Sequence, residues 1–334
     1  MSTALRLCGA LMLTLLAALA SANDSVAGFG IGGLELRTTE AVAMLSEVLV
    51  ISPDAVQVDY VFRNLSAAPV SALVAFPLPE VGLTSPDADI AFPLAGEDNY
   101  VGFETRIDGV AVALQTSHRV LLDGVDRSAE FAAIGLQPLA SMDYWTLDTQ
   151  RASWTNAQRI ALETQGFLDA QGLPRWRLQT LFWREQVFAP QTDVRVSHRY
   201  RPVAAAAVDG WFPGFAAPED GGDATSLALE RAHQDARARF CVTEADEAAM
   251  RASLPPNGFF SGTQVDYILS TGANWRGPIG LFRLEVHSPE PGDFVFLCLP
   301  GARRIASNRI LFDARDFTPR QDLAIYVSRR AGPP

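Results

Sequence analysis

The chain has 334 residues, 48% hydrophobic, with 38 acidic and 27 basic side chains and a net charge of −11. Every basic residue is arginine, which excludes a Schiff-base lysine, a P-loop lysine and a serine–lysine dyad. The acidic balance argues against nonspecific nucleic-acid binding and against docking on anionic lipid, and fits a solubilising surface.

In chain order, residues 1–22 read as a secretory signal peptide. Arg6 gives the positive start, Leu11–Ala20 the apolar run, and Ala20-Ser21-Ala22 the small-x-small cleavage site. Cleavage after Ala22 starts the mature chain at Asn23, with a charge of −12, in the periplasm or outside the cell. Cys8 precedes the apolar run, so it does not have the position of a lipidated cysteine. No later stretch reaches the roughly 18–20 apolar residues of a membrane span.

Gly28-Phe29-Gly30-Ile31-Gly32-Gly33 has the form G-x-G-x-x-G, but a strand-like Leu34–Arg37 follows where a dinucleotide site needs a helix. A flexible lead-in is expected instead. Val56, Val58, Tyr60 and Phe62 alternate with polar residues as in a half-buried strand. After Ala67-Ala68-Pro69 comes Val70–Phe76, expected to pair with it antiparallel. Asp108-Gly109, between Phe103–Ile107 and Val110–Leu114, is a hairpin signal. The spacing predicts a helix capped by Asp126 through Ile134, and a second capped by Thr155 with Ala157, Ile160, Ala161, Thr164 and Phe167 on one face. Strands follow at Trp176–Phe188 and Val194–Tyr200, then helices over Ser226–Arg239 and Thr243–Ser253, the latter with Thr243 and Asp246 spaced as a capping pair. Four more strands are expected at Val265–Leu269, Gly280–Val286, Phe294–Leu299 and Asp322–Val327. The expected fold is mainly β with helical inserts, two sandwich-like antiparallel β lobes rather than a parallel α/β sheet. The first lobe spans 23–122, an insert 123–174, and the second lobe 175–330 with a helical patch at 226–253.

Two cysteines remain after cleavage, Cys241 and Cys298, and an even pair in an oxidising compartment points to a disulfide. The alternative, a thiol nucleophile, needs a histidine that the sequence does not place. His198 shares its strand face with Val194, Val196 and Tyr200, as a hydrogen-bonded core histidine would. His118, His233 and His287 form no pair with metal-ligand spacing. There is no G-x-S-x-G, no H-E-x-x-H and no EF-hand loop, so neither catalytic residues nor a metal or cofactor are expected. Calcium has only the acidic loop at 219–223, or Asp123 with Asp126, to bind to. Trp145, Trp154, Trp176, Trp183 and Trp211 are interleaved with Arg151, Arg175, Arg177 and Arg184. They serve either as buried packing for the inserts or as exposed contacts for sugar or protein, with Trp183 a ligand-binding candidate.

The run Tyr267–Gly280 reads as a strand, a glycine- and proline-bounded loop, and a second strand. Asn274, Trp275 and Arg276 at the loop tip could together bind a ligand, or could instead pack and pair inward. This run resembles a bacterial exported family, domain of unknown function 4424. So do Asn23-Asp24-Ser25, Gly32-Gly33-Leu34, Met44–Ser52, Val56–Asn64, Val74–Pro79, Asp108-Gly109, His198–Pro202, Cys241, Cys298, Asp316–Pro319 and Asp322-Leu323. The resemblance implies export and a shared fold, and transfers no catalytic residue. A second likeness, confined to the first third, is to the vault and inter-α-trypsin inhibitor domain, a β-rich interaction unit. It is carried by the alternating strand, Phe76–Glu80 and Ile107-Asp108-Gly109. Together these features suggest a non-enzymatic binding protein of the cell envelope, whose partner is an envelope protein or a glycan. The alternative is a hydrolase, glycan-directed in one version, using Asp and Glu as acid and base.

Overall fold

The computed structural model describes residues 23–30, 33–82, 89–138, 149, 151–207, 212, 224–256 and 258–331. The first strands are β1 (Ser25–Gly30), β2 (Gly33–Arg37), β3 (Val42–Ile51), β4 (Val56–Asn64) and β5 (Val70–Pro77), then the short β6 (Val81–Gly82) and β7 (Asp89–Ala91). Next come β8 (Glu104–Ile107), β9 (Val110–Val112), β10 (Gln115–Leu122) and β11 (Val125–Asp126), and helices α1 (Ser128–Ala133) and α2 (Asn156–Thr164). The middle holds β12 (Arg177–Phe188), β13 (Asp193–Tyr200), β14 (Ala204–Ala207), α3 (Ala224–Phe240) and α4 (Glu244–Ser253). The last strands are β15 (Phe259–Tyr267), β16 (Ile279–His287), β17 (Phe294–Leu297), β18 (Arg303–Ala306), β19 (Arg309–Phe317) and β20 (Leu323–Ala331).

These strands form three sheets, and the fold is mainly β with helical inserts. One sheet runs β11-β10-β12-β5-β1-β2 with β6 also on β12, the second β18-β19-β16-β3-β4-β13-β8-β9, and the third β17-β20-β15-β14-β7. Pairing is antiparallel except between β16 and β3. β12 and β13, which follow residue 175, each sit between strands from residues 23–122, and β16 pairs with β3 on one side and β19 on the other.

The expected β4–β5 pair does not form. β4 lies between β3 and β13, whereas β5 lies between β1 and β12 in another sheet. The chain changes sheets at residues 65–69, and again between β12 and β13. Asn64 holds both corners: its Nδ2 donates to the carbonyls of Ala68 (2.8 Å) and Phe188 (3.0 Å), and its own carbonyl accepts the Gln191 amide. The inner faces bury Val58, Tyr60 and Phe62 of β4 against Phe76 of β5, Phe182 of β12 and Phe103. On the third sheet, α3 and α4 cover Phe294, Phe296 and Tyr326 with Phe240 and Met250.

Local signals explain the remaining elements. Asp108 and Gly109 both take positive φ and join Ile107 to Val110, the geometry of a two-residue hairpin turn. Thr155 with Gln158 and Thr243 with Asp246 form complete capping boxes. The cap expected at Asp126 is displaced, because α1 starts at Ser128 and Asp126 accepts the Ser128 amide from ahead of the cap position. The buried face of α2 also differs: Leu162 points inward while Ile160 is exposed. Gln158 donates to the carbonyls of Ile134 and Gly135, which sets that rotation. In the stretch expected to be a flexible lead-in, Gly28–Gly30 lie in β1 and Gly33 in β2, which pair antiparallel, with Ala27 and Leu34 buried against Ala75 and Leu181; Ile31 and Gly32 lie outside the described residues.

A bulge in β3 between Met44 and Ser46 reverses which residues face inward. Val42 and Met44 are buried before it; Glu47, Leu49 and Ile51 are buried after it. Gly280 allows the bulge, since a Cβ there would stand 2.7 Å from the Leu45 carbonyl oxygen. Gly280→Ala should therefore cost about 2 kcal/mol in chemical denaturation, as overpacking against backbone does. The expected disulfide joins Cys241, after α3, to Cys298, after β17, closing a loop of sequence separation 57. Replacing both cysteines by serine should lower unfolding free energy by up to about 4 kcal/mol, measured by urea titration.

Candidate functional site

The most concentrated chemistry lies in the interior, where the first described residues meet four strands. Asn23, Asp24 and Ser25 are all fully buried. Asp24 lies between β12 and β13: its Oδ1 is 3.1 Å from His198 Nε2, and its Oδ2 is 3.5 Å from an Arg184 nitrogen. His198 Nδ1 lies 2.7 Å from Thr105 Oγ1 of β8. Asn23 donates from Nδ2 to Glu47 Oε2 at 3.0 Å and accepts the Tyr60 hydroxyl at Oδ1. Tyr60 in turn lies 3.4 Å from the Tyr267 hydroxyl.

The distinctive 267–280 loop closes this cluster. Residues Ser270–Asn274 form a 3₁₀ turn against β1. Gly272 clears space for Asn23, whose Nδ2 would stand 2.9 Å from a Cβ at that position. Asn274 donates to Ser25 Oγ at 2.9 Å, and the Trp275 indole N–H donates to the Asp24 carbonyl. Of the loop candidates, Trp275 is 3% exposed and packs at a tilt on Phe62, Asn274 is half-buried, and only Arg276 faces solvent, its guanidinium donating to the Glu40 carbonyl. Trp183 is half-buried on β12, its N–H donating to Ser117 Oγ at 3.3 Å on the neighbouring strand, so it is not brought to the loop. Trp154 and Trp176 are buried, Trp176 against Phe131 and Phe167; Trp145 and Trp211 lie outside the described residues.

Burial raises the Asp24 carboxyl, but the His198 and Arg184 charges outweigh it and hold the group below its ordinary value. Glu47 shifts the opposite way. Burial pushes it up to about 8, the Asn23 amide pulling it down and the Asp24 charge raising it further. Burial also lifts the Tyr60 and Tyr267 phenols well above their ordinary range. Two carboxyls with opposed shifts are what acid–base catalysis uses, and Thr105–His198–Asp24 has the order of a hydrolytic triad. Every member is closed to solvent, however: Thr105 is 2% exposed and His198 1%. In this arrangement the groups join β8, β12 and β13 to the residues ahead of β1 in the interior.

The other histidines are also paired: His118 with Thr180 Oγ1, His233 with Glu247 and His287 with Glu285. Asp123 pairs with Arg175, and the acidic loop at 219–223 lies outside the described residues. Among the described residues, no group of three or more His, Cys, Asp or Glu is placed to hold a metal ion, and no helix is long and apolar enough to cross a membrane.

Asp24→Ala leaves the Arg184 guanidinium, itself 7% exposed, without its carboxylate. It should destabilise the protein by about 3–5 kcal/mol in urea unfolding. The depressed Asp24 value contributes stability above the ordinary carboxylate range, lost as pH falls through the folded-state value. Asp24→Asn should therefore flatten the acid limb of the stability–pH curve relative to the unsubstituted protein.

No curated protein matches the chain. Among solved structures, a candidate nutrient-binding protein of Legionella pneumophila is 18% identical, with a TM-score of 0.43 over 91% of this chain and 72% of that one. An M1 zinc metallopeptidase of Deinococcus radiodurans is 7% identical with a TM-score of 0.26, the match covering 88% of this chain but only 44% of the enzyme. At these scores neither likeness bears on function. The model of one family, Domain of unknown function (DUF4424), matches residues 22–326, and the chain belongs to that family.

Proposed function

We propose that this is an exported, non-enzymatic binding protein of the cell envelope, which engages a partner protein through the solvent face of its eight-stranded sheet. The observation that carries this reading is the division between interior and surface. The Asp24–Glu47–His198 cluster is sealed inside, while one face of a wide sheet carries exposed arginines.

On that face, Val48, Val50, Val61 and Leu281 are half-buried, and Arg195, Arg199, Arg106 and Arg283 are exposed beside them. The register aligns them in rows across the sheet: Arg106–Ser197–Asp59–Val48–Arg283, and Arg195–Val61–Ser46–Leu281. Arginine set among aliphatic side chains is the mixture that protein interfaces favour, and Asp59 and Asp313 stand in the same row, Asp313 paired with Arg283. Export is supported by the signal-like residues 1–22, with cleavage after Ala22, and by the cystine, which an oxidising compartment sustains. A glycan is the other partner class under test.

The check is binding of the protein starting at Asn23 to isolated envelope. Arg195→Glu with Arg199→Glu should weaken binding at least about tenfold, and protease treatment of the envelope should abolish it. Unchanged binding by the double variant would remove the sheet face from the proposal. Binding that survives protease but not glycan digestion would replace the protein partner with a glycan.

A further inference from the structure

Glu47 lacks what Asp24 has. Arg184 and His198 both face Asp24, whereas among the described residues the groups that act on Glu47 are the Asn23 side chain and the titratable Asp24, Tyr60 and Tyr267, none of them cationic. Glu47 Oε1 is buried and has no hydrogen-bond partner among the described residues. A buried carboxylate in that state is costly unless a cation and further donors meet it. Asn23 is itself fully buried, and its side-chain amide is already bonded to Glu47. Its backbone nitrogen is four covalent bonds from the Nδ2 that donates to Glu47 Oε2.

We propose that the α-ammonium of Asn23, created when residues 1–22 are removed, is the counter-ion of Glu47, so that processing completes the buried cluster. Hydrolysis of the Ala22–Asn23 peptide bond consumes one water and leaves a carboxylate on Ala22 and an amine on Asn23. A peptide nitrogen is neutral with a single N–H to donate. The amine, with an ordinary pKa of about 7.7–8.0, takes up a proton and has three N–H groups and a positive charge. Two carboxylates, Asp24 and Glu47, then stand with a guanidinium, an ammonium and His198. The inference rests on cleavage after Ala22, and is independent of whether the sheet face binds a partner.

The signs of the pH dependence separate the two forms. With residues ahead of Asn23, Glu47 is neutral in the fold and ionised in the unfolded chain between its ordinary value and about 8, so stability falls as pH rises across that window. With the free ammonium, Glu47 is ionised in both states and that slope disappears. The ammonium's own contribution is present below its ordinary value and is lost only as pH rises through its raised, folded-state value.

The experiment compares the chain starting at Asn23 with the same chain carrying a glycine–serine extension, both termini verified by mass spectrometry. Thermal unfolding is followed from about pH 5 to 9. The Asn23 form should melt at least about 3 °C higher at neutral pH, with a flat profile where the extended form declines. Glu47→Gln should erase both differences. In the native protein, the α-amine should resist acylation relative to an unfolded control. Equal melting temperatures with parallel pH profiles overturn the proposal, as does an α-amine acylated as fast in the fold as in the unfolded control; the second readout needs no variant to fold. Exported protein that begins elsewhere than Asn23 overturns it for the cell. Loss of envelope binding with the pH signature intact would instead remove only the binding function.

Discussion

An ionised carboxyl fully removed from water dictates much of this architecture. Asp24 is tolerable in the core only because β12 and β13 bring Arg184 and His198 to its two oxygens. Its position then constrains everything around it. Trp275 must reach the Asp24 carbonyl, Gly272 must lack a side chain where Asn23 lies, and Thr105 must fix the far side of the His198 ring. The bulge in β3, permitted by Gly280, turns Glu47 inward to meet Asn23. These residues are scattered through the sequence and are joined by a single electrostatic requirement.

The sheets supply the frame for that requirement. At the two corners held by Asn64, the strand pair β4 and β13 gives way to β5 and β12, so the same two chain passes line opposite walls of the core. His198 projects from one wall and Arg184 from the other, and Asp24 lies between them. The polar groups therefore sit at the seam between sheets, where they join layers instead of lining a cleft. The outer face of the eight-stranded sheet is the side of the same strands that the cluster does not use.

Much of the fold was legible from local pattern, because alternation and turn chemistry act over a few residues. Val56–Phe62, the Asp108-Gly109 hairpin, the Thr155 and Thr243 caps and the Cys241–Cys298 pair depend on near neighbours or on simple counting. Pairing was not legible: Val56–Phe62 and Val70–Phe76 read as partners, and only the three-dimensional bend at Asn64 separates them. β19 was missed although Ile310 and Phe312 are both buried on one face, since arginine and aspartate dominate the run around them. The cluster left a partial trace. His198 reads as a core histidine from its strand face, and Asn23-Asp24-Ser25 and the 267–280 loop both stand out as family-like stretches. Nothing in the one-dimensional pattern said that they touch. The tip Asn274-Trp275-Arg276 reads as a place for a ligand or for inward packing; the structure sets the first two against Ser25 and Asp24, to which the amide and the indole N–H donate.

The bond from Trp275 to Asp24 spans 251 residues of sequence. Loop-closure entropy for a contact of that separation must be overcome before the contact contributes anything. The core around Asp24 consequently cannot close until nearly the whole polypeptide is present. For a chain exported as proposed, this delay is useful timing. While the final strands are still being made, the leading segment has no finished structure to lock into and stays threadable through a translocation channel.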